Sequence, residues 1–223
     1  MNFFGHAAIA RERTDRSGVV FGAMLPDLLA MARLRPLDPL DAEIREGVAL
    51  HHATDEAFHR SATFLGLCRV AREQLRACGI DGAPARALAH VGTELWLDAV
   101  AFEEHPVRER YVPALAHGRA LLRAGALGEP GALAPLEALL ERLAHAGLDV
   151  VSAEPRALTL RLCSVLARRP RLWPGAHVVD RVERFCAAHR ETVRRAAALL
   201  LDDVRRGIQA SAQPSAAPRG ADP

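Results

Sequence analysis

Lysine is absent from this sequence, and all 29 basic residues are arginine. A lysine Schiff base and the lysine of a phosphate-binding P-loop are thereby excluded; otherwise the replacement reads as coding bias. Aromatic residues make up only 4% of the chain, so alanine and leucine supply most of its 50% apolar content. Both favour helix. Strand-type runs are nearly missing, Asp149-Val150-Val151 being a short exception. The expected fold class is all-α. The four cysteines show no CxxC spacing, which argues against a zinc knuckle or a disulfide framework and for a reducing compartment. Cys68 and Cys163 stand on apolar helical stretches and read as inert buried thiols. No GxSxG elbow and no glycine-rich phosphate loop is visible. No basic segment precedes a long apolar run at the start, and no apolar stretch reaches the length of a membrane span. A cytoplasmic protein is expected. The net charge of +2, with both signs interspersed, argues against a dedicated nucleic-acid binder.

A chain of 223 residues holds one sizeable domain or two small ones. With no internal repeat and no strong boundary, the expectation is one helical domain over residues 1–209, of about eight or nine helices. The functional half is 1–105, and 210–223, rich in Ala, Pro, Ser and Gly, is expected to be a disordered tail. Asn2 caps a first helix, and Pro26 is expected to kink or end the second. Pro36 and Pro39 bracket a loop, Asp38 or Asp41 starts the third helix, and Ser61 caps the fourth. Gly79 stops the fourth. A fifth helix runs from about Ala85 to Glu104 and ends at His105-Pro106. Four more are expected over Arg108 to Ala124, Pro130 to Ala146, Glu154 to Arg168 and His177 to Ile208. Their apolar residues recur at helical spacing, and their arginines read as solvated faces.

What stands out in this alanine- and leucine-rich background is two polar lines. Residues four apart share one face of a helix, so His51, Asp55 and His59 form one line, with His52 beside it. His90, Glu94 and Asp98 form a second, among Val91, Leu95, Trp96 and Leu97. Unpaired ionisable groups are costly in such surroundings. Metal chemistry gives the spacing a reason: two ligands four apart rise by about 6 Å and converge on one ion, whereas the ends of a line of three lie about 12 Å apart. Each line therefore offers a ligand pair plus a group for proton transfer or for a second ion. A mixed His/carboxylate set suits Mn²⁺, Fe²⁺ or Zn²⁺. His6 and Asp27, both in apolar segments, belong with these residues. The bland reading is a set of surface pairs or a buried hydrogen-bond network, with Trp96 and Phe102 as core and His52 as a surface neighbour or satisfied core histidine.

Met1-Asn2-Phe3-x-x-His6, Gly22-x-x-x-Pro26-Asp27, His51-x-x-x-Asp55 and the later helix with Glu94 and Asp98 resemble the bacterial acyl carrier protein phosphodiesterases. These are all-helical relatives of the HD-domain metal-dependent phosphohydrolases. The resemblance implies an HD-like domain and Mn²⁺-dependent cleavage of the phosphodiester that joins phosphopantetheine to a carrier-protein serine. It implies His6, Asp27, His51, Asp55, Glu94 and Asp98 as metal ligands, leaving His52, His59 or His90 for proton transfer. Three positions depart from that pattern: His52 replaces an Arg, His59 stands near an expected Asp, and Ala99 takes the place of a His. Gly22-Ala-Met-Leu-Pro-Asp27 and His90-x-x-x-Glu94 also resemble pieces of the zinc-dependent phospholipases C, although the N-terminal Trp ligand of that family has no counterpart before Trp96. Both resemblances imply phosphoester hydrolysis. The different-class alternative is a non-catalytic helical binding protein whose polar lines are structural.

Overall fold

The computed structural model describes residues 1–38, 41–104, 107–145 and 154–212. Pro39, His105-Pro106, Asp149-Val150-Val151 and positions 213–223 of the expected tail lie outside the described residues. Among those described, the chain is all-α, with nine α-helices and no strand. They are α1 (Phe3–Arg13), α2 (Ser17–Ala32), α3 (Ala42–Arg60), α4 (Ala62–Ala77), α5 (Gly82–Glu104), α6 (Val107–Arg123), α7 (Ala134–His145), α8 (Pro155–Ala167) and α9 (Val179–Ala212). None is long and apolar enough to cross a membrane.

Local chemistry sets most of the ends. Asn2 Oδ1 accepts from the Phe3 amide, and Asp41, not Asp38, caps α3 by accepting from Ile44 N at 3.0 Å. Ser61 ends α3 and caps α4, taking the Thr63 and Phe64 amides on its Oγ. Past α4, Gly79 turns into the left-handed region at φ 75°, and Gly79 N and Ile80 N close back onto Arg76 O and Leu75 O. This double closure is the glycine-terminated helix stop expected there. Three expectations change. Of the two outcomes expected at Pro26, the end is overturned: helix α2 runs on through Pro26 to Ala32. Residues Pro130–Leu133 form a short 3-10 turn, with α7 starting only at Ala134. Helix α9 continues through Ala212, so residues 210–212 belong to it and not to a tail.

The continuation past Pro26 has a packing reason. A proline inside a helix removes one ladder hydrogen bond and costs about 3 kcal/mol, so α2 must gain elsewhere. It gains against α3. Gly22 and Gly47 face each other so closely that a Cβ on Gly22 would strike the Ile44 carbonyl oxygen, and one on Gly47 the Val19 carbonyl oxygen. Around this crossing Val19, Val20, Phe21, Met24, Leu25 and Leu28 are almost wholly buried. Close backbone approach maximises dispersion contacts along both helices. It also places the middle of α3, with its histidines, beside the segment of α2 that ends in Asp27. The scarce aromatics are spent on the interior: Phe3, Phe4, Phe21, Phe58, Phe64, Trp96 and Phe185 are each at most 2% exposed. Helix α9 packs along α3, α4, α5 and α8 and closes the other side.

Candidate metal centre

Four helices bring the polar residues to one place. Helix α1 carries His6, α2 carries Asp27 immediately after Pro26, α3 carries His51, Asp55 and His59, and α5 carries His90 and Glu94. The result is two groups joined by one carboxylate.

In the first group, one donor atom each from His6, Asp27 and His51 lies within 4.8 Å of the others. The His6 and His51 rings sit 3.9 Å apart, centre to centre. His51 Nδ1 is 2.9 Å from the Ala23 carbonyl oxygen. A carbonyl only accepts, so Nδ1 carries the proton and the Nε2 lone pair is left for a ligand. Burial, reinforced by His6, pushes the His51 pKa down to about 4, and burial also lowers that of His6. Both are therefore neutral at pH 7, the form that binds metals. Burial raises the Asp27 carboxyl to about 7, against the pull of the Met1 ammonium.

In the second group, donor atoms of His59, His90 and Glu94 also lie within 4.8 Å of one another. His90 Nε2 is 3.2 Å from Glu94 Oε1, and His59 Nε2 is 3.8 Å from the same atom. The two imidazoles stack at 5.0 Å, with Phe64 edge-on to both. The Cys68 side chain and then Glu94 raise the His90 pKa to about 10. Burial works against ionisation of Glu94, yet His90, the Met1 ammonium and His59 together hold its pKa below the ordinary value.

Asp55 joins the groups. Its Oδ1 is 3.6 Å from His6 Nε2 and 3.5 Å from His59 Nε2. The Met1 ammonium stands between the carboxylates, 3.1 Å from Asp55 Oδ1 and 3.5 Å from Glu94 Oε1. Burial opposes the Asp55 charge, but His59, His6 and this ammonium outweigh it and hold the carboxyl far below the usual carboxylate range.

The donor set of the first group, with Asp55, fits a divalent ion. His6 is 1% exposed, and neither of its ring nitrogens has a hydrogen-bond partner; Asp27 Oδ2 is likewise buried without one. Buried polar atoms are seldom left so. The separations of 3.6 Å from His6 to Asp55 and 3.9 Å from His6 to Asp27 exceed hydrogen-bond length. They match the spacing of about 3 to 4 Å between ligand atoms around an ion bonded at about 2.1 Å.

Two expected site residues stand apart. His52 is exposed, its ring 5.3 Å from that of His51 and turned by 86°. Asp98 belongs to neither ligand group: it is fully buried, and its Oδ1 accepts from Gly5 N at 3.2 Å. Burial raises its pKa to about 7, with the Arg161 charge pulling the other way. His59 and His90, expected to transfer a proton or to orient the ligands, could form a ligand group with Glu94. Two contributors had escaped notice. The Met1 ammonium carries no motif. Cys68, expected as an inert buried thiol, is half-buried and acts on His90 from the neighbouring helix α4; its position four residues after Phe64 on one face of α4 was the available signal.

Above the site opens a cavity of about 950 Å³ that reaches Asp27, His90 and Glu94. Its lining also includes Arg142 of α7, Arg161 in the middle of α8, and Arg168 and Arg169 just beyond the end of α8. Arg142, Arg168 and Arg169 are exposed, as expected for solvated faces, and together with Arg161 they line a cavity over the polar site. Searched against known protein families, curated proteins and solved structures, the chain matches none.

Proposed function

We propose that the chain is a metal-dependent phosphoester hydrolase built on a two-ion centre, with Asp55 shared between the ions. The observation that carries this reading is the buried, unpartnered His6, set at ligand-type distances from two carboxylates. His6, Asp27, His51 and Asp55 would hold one ion, and Asp55, His59, His90 and Glu94 the other. A divalent ion there supplies Lewis acidity toward a phosphoryl oxygen and a water made acidic enough to attack at neutral pH. Mn²⁺ is the preferred metal, with Fe²⁺ or Zn²⁺ also suited to imidazole and carboxylate donors.

The protein's own part is orientation and charge. Ala23 O holds His51 in the tautomer that presents Nε2. The stack of His59 on His90, backed by Phe64, limits the motion of both rings. The resemblance noted above makes the phosphodiester between phosphopantetheine and an acyl carrier protein the first natural substrate to assay, with a phosphodiester lipid in parallel.

A second reading is favoured by a specific observation. The Met1 ammonium already places a cation between Asp55 and Glu94, which fits a structural network neutralised without metal. Metal analysis by mass spectrometry separates the two, with hydrolysis of bis(p-nitrophenyl) phosphate measured on the same samples. Near-stoichiometric Mn, Fe or Zn in the wild type, lost together with hydrolysis in Asp55→Asn, supports the enzyme. A wild type that takes up no metal after incubation with Mn²⁺ or Zn²⁺ overturns it in favour of the network.

A further inference from the structure

The lining of the cavity over the metal centre has two parts of opposite character. Asp27, Glu94 and His90, from α2 and α5, make its floor; Arg142, Arg161, Arg168 and Arg169, from α7, α8 and the residues just after it, make its wall; Arg33 also lines it. Arg33 caps α2 in the left-handed conformation, at φ 59°, the one non-glycine residue with positive φ among those described. Apolar side chains line the cavity too, among them Val91, Leu95, Leu139 and Val165.

Several surface arginines meet carboxylates, as in Arg60–Glu56, Arg195–Glu191 and Arg205–Glu12. Among the described residues, Arg33, Arg142, Arg168 and Arg169 have no such partner. Gathering positive charges on the lining of one cavity costs mutual repulsion and attracts anions. Arginine's planar fork is the side chain suited to phosphate. The volume of about 950 Å³ lies at the upper end of the range for small-molecule sites, so it has room for a compact ligand.

We infer that this cavity takes a small molecule bearing two anionic groups, with the phosphoester to be cut over the floor and a second phosphate on the arginine wall. The apolar side chains take the carbon chain between them. The inference rests on the metal-hydrolase reading for the role of the floor, and adds the substrate class.

The test compares hexanediol bisphosphate with hexyl phosphate by titration calorimetry on the full chain after incubation with Mn²⁺. The wild type should bind the bisphosphate about tenfold or more tightly than the monophosphate. In the Arg142→Ala/Arg168→Ala double variant that preference should shrink to about twofold or less, the monophosphate affinity holding. Both arginines are exposed, so the variant folds. Arg195→Ala, outside the cavity, should keep the full preference. Equal affinities in the wild type, or a preference that survives the double variant, overturn the inference. Metal content of the same samples keeps the two readings distinguishable. A preference for the bisphosphate without bound metal refutes the hydrolase and leaves the wall standing; bound metal without the preference does the reverse.

Discussion

Two buried histidines, His6 and His189, have the same chemistry and opposite surroundings. Each is at most 1% exposed. His189 has both ring nitrogens satisfied, Nδ1 at 3.0 Å from Gln74 Oε1 and Nε2 at 2.9 Å from Thr93 Oγ1. Since Gln74 Oε1 only accepts, Nδ1 carries the proton, and Thr93 donates to Nε2 or shares its proton with the Ala89 carbonyl 2.7 Å away. His6 has no hydrogen-bond partner on either nitrogen and faces two carboxylates beyond hydrogen-bond reach. The first is the pattern of a histidine retained to knit helices α4, α5 and α9 together. The second is the pattern of a ligand. Burial alone does not separate a functional polar group from a structural one; unsatisfied lone pairs and protons at ligand-type distances from carboxylates add the second criterion.

The largest expected effect breaks the comparison on the His6 side. Asp55→Asn keeps the shape but removes the charge shared by the two ligand groups, so metal content and hydrolysis should both fall by about a hundredfold or more. His6→Ala should lose the metal of the first group. In the same assays His189→Leu should leave metal content unchanged. It strands Gln74 Oε1, and should lower stability by about 1–3 kcal/mol, read as a fall in Tm. Metal loss in His189→Leu without unfolding would erase the distinction.

Much of this was legible in the sequence, for physical reasons that differ by residue. His51, Asp55 and His59, like His90 and Glu94, announce themselves because helical periodicity puts residues four apart on one face. Asn2, Ser61 and Gly79 act within a few residues of themselves, so their roles as caps and stop could be read locally. The fate of Pro26 could not, since the crossing of Gly22 over Gly47 that offsets it joins residues far apart in the chain. Asp98 shares the line of Glu94, yet one further turn of α5 carries it to the Gly5 amide. The arginine wall was hidden because α7 and α8 reach the cavity only through the packing of the whole bundle, while locally their arginines look like any solvated face.

The next effect sharpens the comparison through pH. Burial lowers the His189 pKa to about 4, against about 6.5 for the unfolded chain. Between those values the unfolded state takes up a proton that the native state refuses. The stability associated with neutral His189 is thus complete above pH 6.5 and is lost as pH falls toward 4, by up to about 3 kcal/mol. Chemical denaturation at pH 7 and pH 4.5 should show a smaller acid loss in His189→Leu than in the wild type. Equal losses would mean that His189 is protonated in the native state. His51, also held down to about 4, should add acid sensitivity in the same window, and bound metal should deepen it, because a proton on Nε2 displaces a ligand bond.

A smaller effect addresses how the His6 side is held. Gly47→Ala pushes a methyl group into the backbone of α2 at Val19 and Ala23, the residue whose carbonyl orients His51. Overpacking of this kind costs about 1–3 kcal/mol. Part of that cost should appear as weaker metal binding, through the displaced His51, and not only as a lower Tm. If metal affinity is untouched while Tm falls, the Ala23 bond is dispensable for presenting Nε2.

The smallest effect concerns the neighbour of His51. A step of one residue along a helix turns the side chain by about 100°, enough to carry His52 from the buried face of α3 to solvent, where it is exposed and belongs to neither ligand group. His52→Ala should therefore change stability by no more than about 0.5 kcal/mol and leave both metal content and hydrolysis at wild-type levels, whereas His51→Ala removes a ligand. The pair makes a stringent control, since the two variants delete the same side chain at adjacent positions. Loss of hydrolysis in His52→Ala with the metal retained would show that proton transfer reaches the solvent face of α3, and would shift the reacting centre away from the cavity floor.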